Sequence, residues 1–198
     1  MPRIVDHDVR RTELAAAACK AILRHGIDGL KLTDVGKEAD VTTGTITHYF
    51  ADKNSLMLAA LEYAWNSTKE RLCARLNEDE INGLEFFSEV LPINNENRTA
   101  IVVWYQFWLR GLNNQTLASR RREKRIEWLV MIETCLMAMV SRGEIVLSED
   151  IRAEVVGVDV ILNGIGLRAI LDPDDWPAER QLAQLRRYFY PLRPCAAA

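Results

Sequence analysis

Between Leu32 and Leu56 the chain gathers residues suited to holding a nucleic acid: Thr33, Thr42, Thr43, Thr45, Thr47, His48, Tyr49 and Lys53, with a glycine at 44. Short hydroxyls both donate and accept hydrogen bonds, and a threonine methyl packs on a thymine methyl, so these groups serve at phosphates and base edges. A threonine cap followed by glycine also opens a helix whose first N–H groups a phosphate can approach closely. Val35 and Ala39 stand four apart, and Val41, Ile46 and Phe50 complete the apolar set. That spacing lets one small core anchor two short helices while the threonines stay outside. A plain three-helix core with a solvated threonine face would share the periodicity. It would not require Gly44 at the exposed start of a helix, nor Tyr49-Phe50-x-Asp52-Lys53-x-x-Leu56 after it.

A second constellation lies later in the chain. Trp104 and Trp108 are four apart and share a helix face with Tyr105 nearby, and Trp65 and Trp128 fall on neighbouring helices. Such a cluster beside a carboxylate suits a cationic or quaternary-ammonium ligand through cation–π contact. An aromatic stripe at helical spacing is equally what a hydrophobic core needs. Asp159 and Asn163 stand on one face of an otherwise apolar helix from Val155 to Ile170. A buried polar pair requires a partner: a ligand, a water cluster, or the same helix across a dimer axis.

Other chemistries find little support. All three histidines (His7, His25, His48) precede residue 49, and no phosphate-binding G-x-x-x-x-G-K, zinc H-E-x-x-H or G-x-S-x-G nucleophile elbow occurs. The expectation is therefore no enzyme, no cofactor and no metal. A helical-bundle enzyme would lack any histidine in its later half. Cys19, Cys73, Cys135 and Cys195 form no C-x-x-C pair, a pattern that fits free thiols in a reducing compartment. Redox sensing through Cys19, Cys73 or Cys135 is the alternative mode of control. Arg120-Arg121-Arg122-Glu123-Lys124-Arg125 reads as a solvated helix face. Cys195-Ala196-Ala197-Ala198 has the form of a prenylation signal, but an alanine-rich tail after Pro191 and Pro194 is the plainer reading.

Helices must position all of this. Prolines fall only at 2, 92, 173, 177, 191 and 194, and strand-like alternation is absent, which makes the chain all-α with about nine helices. The expected segments are 8–25, 34–39 (capped by Thr33), 43–50, a long helix from an Asp52 cap to Leu76, then 83–90, 97–111, 114–142, 149–171 and 177–190. On the long helix Met57, Leu61, Trp65, Leu72 and Leu76 make one stripe, and Leu56, Ala60 and Tyr63 another. An element joining two modules would show two such faces.

The 198 residues carry 48% apolar and 27% charged side chains with a net charge of −3, which excludes disorder and a broadly basic nucleic-acid coat. The first 60 residues are neutral, with eight Lys+Arg and eight Asp+Glu. The uncharged run from Ile101 to Leu109 has nine residues, where a membrane span needs roughly 20. A cytoplasmic protein without a membrane partner is expected.

Thr33, Val41, Thr42, Gly44, Ile46, Tyr49, Phe50, Asp52, Lys53 and Leu56 fall in register with the TetR family of bacterial one-component regulators, which the chain resembles over roughly residues 10–60. Asp40 stands where the family usually has Gly, and Gly36 where Ala is usual. Trp104-Tyr105-Gln106-Phe107-Trp108 and the run Ile161–Ala169 are similar to the choline-responsive BetI-like subgroup, with Asn163 in place of its Asp. The resemblance implies an all-helical homodimer with a three-helix, helix-turn-helix DNA-binding domain at 1–51. A ligand-binding and dimerisation domain at 52–198 follows, coupled to the head through helix 4. It implies that Thr43, Gly44 and Thr47 read bases on a near-palindromic double-stranded operator. Thr33, Thr42, Thr45, His48, Tyr49 and Lys53 would contact phosphates, and Arg10 and Arg11 are either further phosphate contacts or solvated charges. The implied activity is repression released by a small-molecule effector. Trp65, Trp104, Tyr105, Trp108, Trp128, Asp159 and Asn163 are the candidate effector residues, and the last two helices are the dimer face.

Overall fold

The computed structural model describes residues 7–77, 82–147, 150–189 and 192. Their helices are α1 (His7–Gly29), α2 (Leu32–Ala39), α3 (Thr43–Tyr49), α4 (Lys53–Leu76), α5 (Gly83–Ser88), α6 (Asn95–Gly111), α7 (Gln115–Ser141), α8 (Ile151–Leu171) and α9 (Ala178–Phe189). No strand occurs among the described residues. The C-a-a-X-like tail lies outside them.

Packing groups the chain into two compact units: residues 1–67 with 99–118, and residues 68–98 with 119–198. The boundaries fall inside α4, α6 and α7.

In the first unit Leu14, Ala18 and Ile22 of α1 share one core with Val35, Ile46, Phe50, Leu56, Leu61, Val103 and Phe107. Gly26 breaks α1 with φ 72 and ψ 161, backbone that a side chain would resist. The regular helix is interrupted there, as expected, and a further turn to Gly29 follows in which Ile27 is buried. Gly36 lets α2 lie close against the turn that leads to α3. A Cβ there would lie 2.7 Å from the carbonyl oxygen of Val41, a gap only glycine leaves. Asp40, between α2 and α3, takes the left-handed conformation at φ 52 and ψ 50.

The expected Thr33 cap is corrected. α2 begins at Leu32 behind an extended Lys31 with no side-chain cap, and the Lys31 carbonyl accepts from Asp34 and Val35 at 3.0 and 3.3 Å. Thr33 therefore lies inside the first turn and stays exposed. Asp52 caps α4 as expected, whereas the cap of α3 is Thr42 and not the threonine next to Gly44. Thr42 accepts from the Thr45 N–H at 3.2 Å, and the Asp52 carboxylate accepts from the Ser55 N–H at 2.7 Å.

On α4 the buried residues are Leu56, Met57, Ala60, Leu61, Ala64, Trp65, Thr68 and Leu72. At about 100° per residue they fill one broad arc of roughly half the circumference, in place of two separate stripes.

In the second unit α8 packs on α9, and α5 also packs on α9. Phe87 stacks on Phe189 with centroids 5.3 Å apart, and Phe86 lies between Phe87 at 5.1 Å and Trp128 at 6.4 Å. Arg71 and Arg75 of α4 reach Glu89 beyond α5 at 3.2 and 3.1 Å. On α8, Val155, Val158, Leu162, Ile165 and Ala169 are buried, while Val156, Val160, Leu167 and Leu171 face outward.

Candidate functional site

The hydroxyl-rich surface is built on a short apolar floor. Ile46 and Val35 are fully buried, which turns Thr43, Gly44, Thr47 and His48 of α3 outward with Thr42 before them. Thr45 and Tyr49 are half-buried on the same helix. Thr42 and Thr45 hydroxyls lie 3.2 Å apart, and the Thr47 hydroxyl donates to the Gly44 carbonyl at 3.1 Å. Local bonds thus hold the threonine rotamers without any partner. The Tyr49 ring sits between His7 at 4.7 Å and His48 at 5.1 Å.

Thr33 is exposed on α2 and Lys53 opens α4, so these two stand on the helices that precede and follow α3 in the chain. The Lys53 ammonium donates to the Asp28 carbonyl at 3.3 Å, and two of its three donors remain for other partners. Neighbouring cations are engaged by acids: Arg24 pairs with Glu38, and Arg10 with Glu13 at 2.6 Å. Arg11 turns inward, as described below. His7 was not singled out in the sequence and Arg11 only as a cation, because nothing in the α1 pattern signals that its first turns meet the end of α3.

α6 grips the kink of α1. The Gln106 side-chain oxygen accepts from the Ile27 N–H, its Nε2 donates to the Ile22 carbonyl at 3.4 Å, and Arg110 forms an ion pair with Asp28. None of these three contacts is legible in the sequence, since about 80 residues separate the partners.

The seven candidate effector residues fall into two groups, one in each unit. In the first, Trp65 is 4% exposed and meets Trp104 edge-on at 5.5 Å. Trp108 lies 6.5 Å from Trp104 and 5.4 Å from Tyr105. The Trp108 Nε1 is buried without a hydrogen-bond partner in the protein. In the second, the buried Asp159 carboxylate accepts from Arg125 Nη2, Trp128 Nε1 and Asn163 Nδ2, each at 3.0 Å. Asn163 Nδ2 also donates to the Asp159 carbonyl at 2.7 Å. The partner that the sequence required for this acid is therefore supplied by α7, and the basic run contributes Arg125 to it.

Burial pushes the thiols of Cys19 and Cys135 up to about 12, far above the range in which a thiolate is available for oxidation. The Cys19 thiol is also spent on the Ala60 carbonyl at 3.2 Å. Among the described residues no group of His, Cys, Asp and Glu is placed to hold a metal ion. No helix of the described chain is long and apolar enough to cross a membrane.

Two short helices crossing at a tight turn, with a polar exposed second helix on an all-helical chain, define a helix-turn-helix DNA-binding protein. Residues 14–60 match the tetR family of bacterial regulatory proteins, and residues 84–192 match the C-terminal domain of BetI-type transcriptional repressors. The chain is 26% identical over 199 residues to the HTH-type transcriptional regulator BetI of Vibrio atlanticus, covering 95% of this chain and 94% of that one. It is 24% identical over 183 residues to the HTH-type transcriptional regulator PksA of Bacillus subtilis, covering 87% and 84%. A transcriptional regulator from Saccharomonospora viridis, solved in complex with choline, shares the fold with a TM-score of 0.80 at 18% identity, over 91% of this chain and 95% of that one. The chain belongs to the TetR family, with the C-terminal half of a BetI-type repressor. It is a DNA-binding transcriptional regulator with a ligand-binding C-terminal domain.

Proposed function

We propose that the protein is a homodimeric repressor that binds a near-palindromic operator and releases it when a small quaternary-ammonium compound binds. The observation that carries the effector class is the ring cluster of Trp65, Trp104, Tyr105 and Trp108 in a chain with a BetI-type C-terminal half. Indole faces attract a quaternary ammonium, and the unpartnered Trp108 N–H offers a donor to the effector's oxygen. Asp159, Asn163 and Trp128 serve in this reading by holding α7 against α8 within the second unit.

Dimerisation uses the outward stripe of α8, Val156, Val160, Leu167 and Leu171, with Gly164 leaving open space for close helix approach. As a dimer the protein would set two copies of α3 about 34 Å apart on one DNA face. Thr43, Gly44 and Thr47 read bases; Thr33, Thr42, Thr45, His48, Tyr49 and Lys53 hold phosphates. Its place of action is the cytoplasm, where the operator is. α6 carries both the aromatic cluster and the Gln106–Arg110 grip on α1. It is the natural route, together with α4, by which effector binding changes the head. The effector must favour the released state by about 1–3 kcal/mol.

Calorimetric titration with choline, and with its uncharged isostere 3,3-dimethylbutan-1-ol, tests the effector class. The reading expects heat from choline that Trp104→Ala abolishes, and none from the isostere. Equal binding of the two would contradict a cation site.

A further inference from the structure

Arg11 stands in the second turn of α1, and the sequence left it as either a phosphate contact or a solvated charge. Its guanidinium instead donates a hydrogen bond to the carbonyl of Tyr49, the last residue of α3. The same group lies over the Phe50 ring, 4.5 Å from the centroid. Phe50 is itself buried and extended, and its N–H bonds to the Ile46 carbonyl at 3.0 Å, so the chain leaves α3 at this point.

A helix leaves its last carbonyls without intrahelical donors. In α3, which has seven residues, one frayed turn would disorder half of the reading surface. A guanidinium at the C-terminal end supplies a donor and complements the negative end of the helix dipole. Its flat face covers the Phe50 ring in a way that an ammonium cannot. The turn so held is the one that presents His48 and Tyr49, and the Tyr49 ring is further packed between His7 and His48.

We propose that Arg11 is a positioning residue for DNA reading: it clamps the last turn of α3 onto α1 and does not neutralise a phosphate. The proposal rests on the reading of α3 as the DNA-facing helix, and its test contains one arm independent of DNA. Arg11→Lys keeps the charge and loses the planar fork; Arg11→Gln loses both. Amide exchange followed by mass spectrometry over residues 43–52 reports on α3 directly. Fluorescence anisotropy then measures binding to a duplex that the wild-type protein has selected from a randomised pool, and to an unselected duplex, across a salt series.

Both variants should exchange faster at residues 47–50. Both should also bind the selected duplex about tenfold more weakly, with an unchanged salt slope on both duplexes. An Arg11→Lys protein with wild-type exchange and affinity overturns the proposal. So does an Arg11→Gln protein whose salt slope falls by about one on both duplexes, the mark of a lost phosphate contact. Global unfolding of Arg11→Lys, seen by circular dichroism, also contradicts it, because the core of Leu14, Ile22, Val35 and Ile46 does not include Arg11. Should the wild type select no duplex, the DNA reading falls, while the exchange arm still decides whether Arg11 holds α3.

Discussion

Gln106 closes both sides of the α1 kink with one carboxamide, its oxygen accepting from the Ile27 N–H and its Nε2 donating to the Ile22 carbonyl. A kink at Gly26 interrupts the helical ladder, and the groups it releases are satisfied by α6. Gln106→Leu keeps the volume and removes both bonds. It should lower stability by about 1–3 kcal/mol, the toll of an unpaired buried N–H. Urea denaturation of the two proteins checks this; an unchanged midpoint would mean that water replaces the carboxamide freely.

Asp40 holds a left-handed conformation, at φ 52, that glycine adopts without strain. Asp40→Gly should therefore stabilise the protein, by about 0.5–1 kcal/mol once the added freedom of the unfolded chain is counted. Thermal melts would show a higher midpoint. A lower one would show that the Asp40 side chain contributes more than its backbone costs.

Asp159 is buried at the meeting of α7 and α8 and accepts from three side chains. Asp159→Ala strands the Trp128 indole N–H, and the expected loss is about 2–3 kcal/mol in chemical denaturation. The Arg125 side chain is 54% exposed, so its charge rehydrates and adds little to that figure. Asp159→Asn keeps an acceptor and should lose less. A variant as stable as wild type would remove the structural role and return this acid to the effector.

Cys19 and Cys135 keep their protons in the folded chain, where burial raises them from 9.0 to about 12. The unfolded chain releases those protons first as pH rises. Their contribution to stability is therefore whole below pH 9 and is lost between 9 and about 12. At about pH 8 a thiol reagent such as iodoacetamide should label neither cysteine in the folded protein on the time that it labels both in urea. Rapid modification of either in the native state would revive redox control through that thiol.

Much of the head could be read from the chain because its signals are local. The Asp52 cap and the buried positions Val35, Ile46 and Phe50 all follow from spacing within a few residues. Asp159 was legible as a buried acid in need of a partner, but not whose partner, since Arg125 and Trp128 lie more than 30 residues earlier on another helix. Trp65 and Trp128 look interchangeable in sequence and belong to different packed units. Arg11 stood out only as a cation and Gln106 only as part of the aromatic run, because their contacts lie 38 and 79 residues away. Thr33 misled for a subtler reason. A threonine at a helix start favours the cap, yet Leu32 belongs to the helix ahead of it.

The central claim is that the exposed face of α3 reads DNA sequence. Its most direct test is the affinity of the Thr43→Ala/Thr47→Ala protein for the duplex that the wild type selects, beside its affinity for unrelated DNA at the same salt. Each lost base contact is worth about 1–3 kcal/mol. Binding to the selected duplex should fall at least about tenfold while binding to unrelated DNA stays the same. Wild-type affinity for the selected duplex in the double variant would contradict the account.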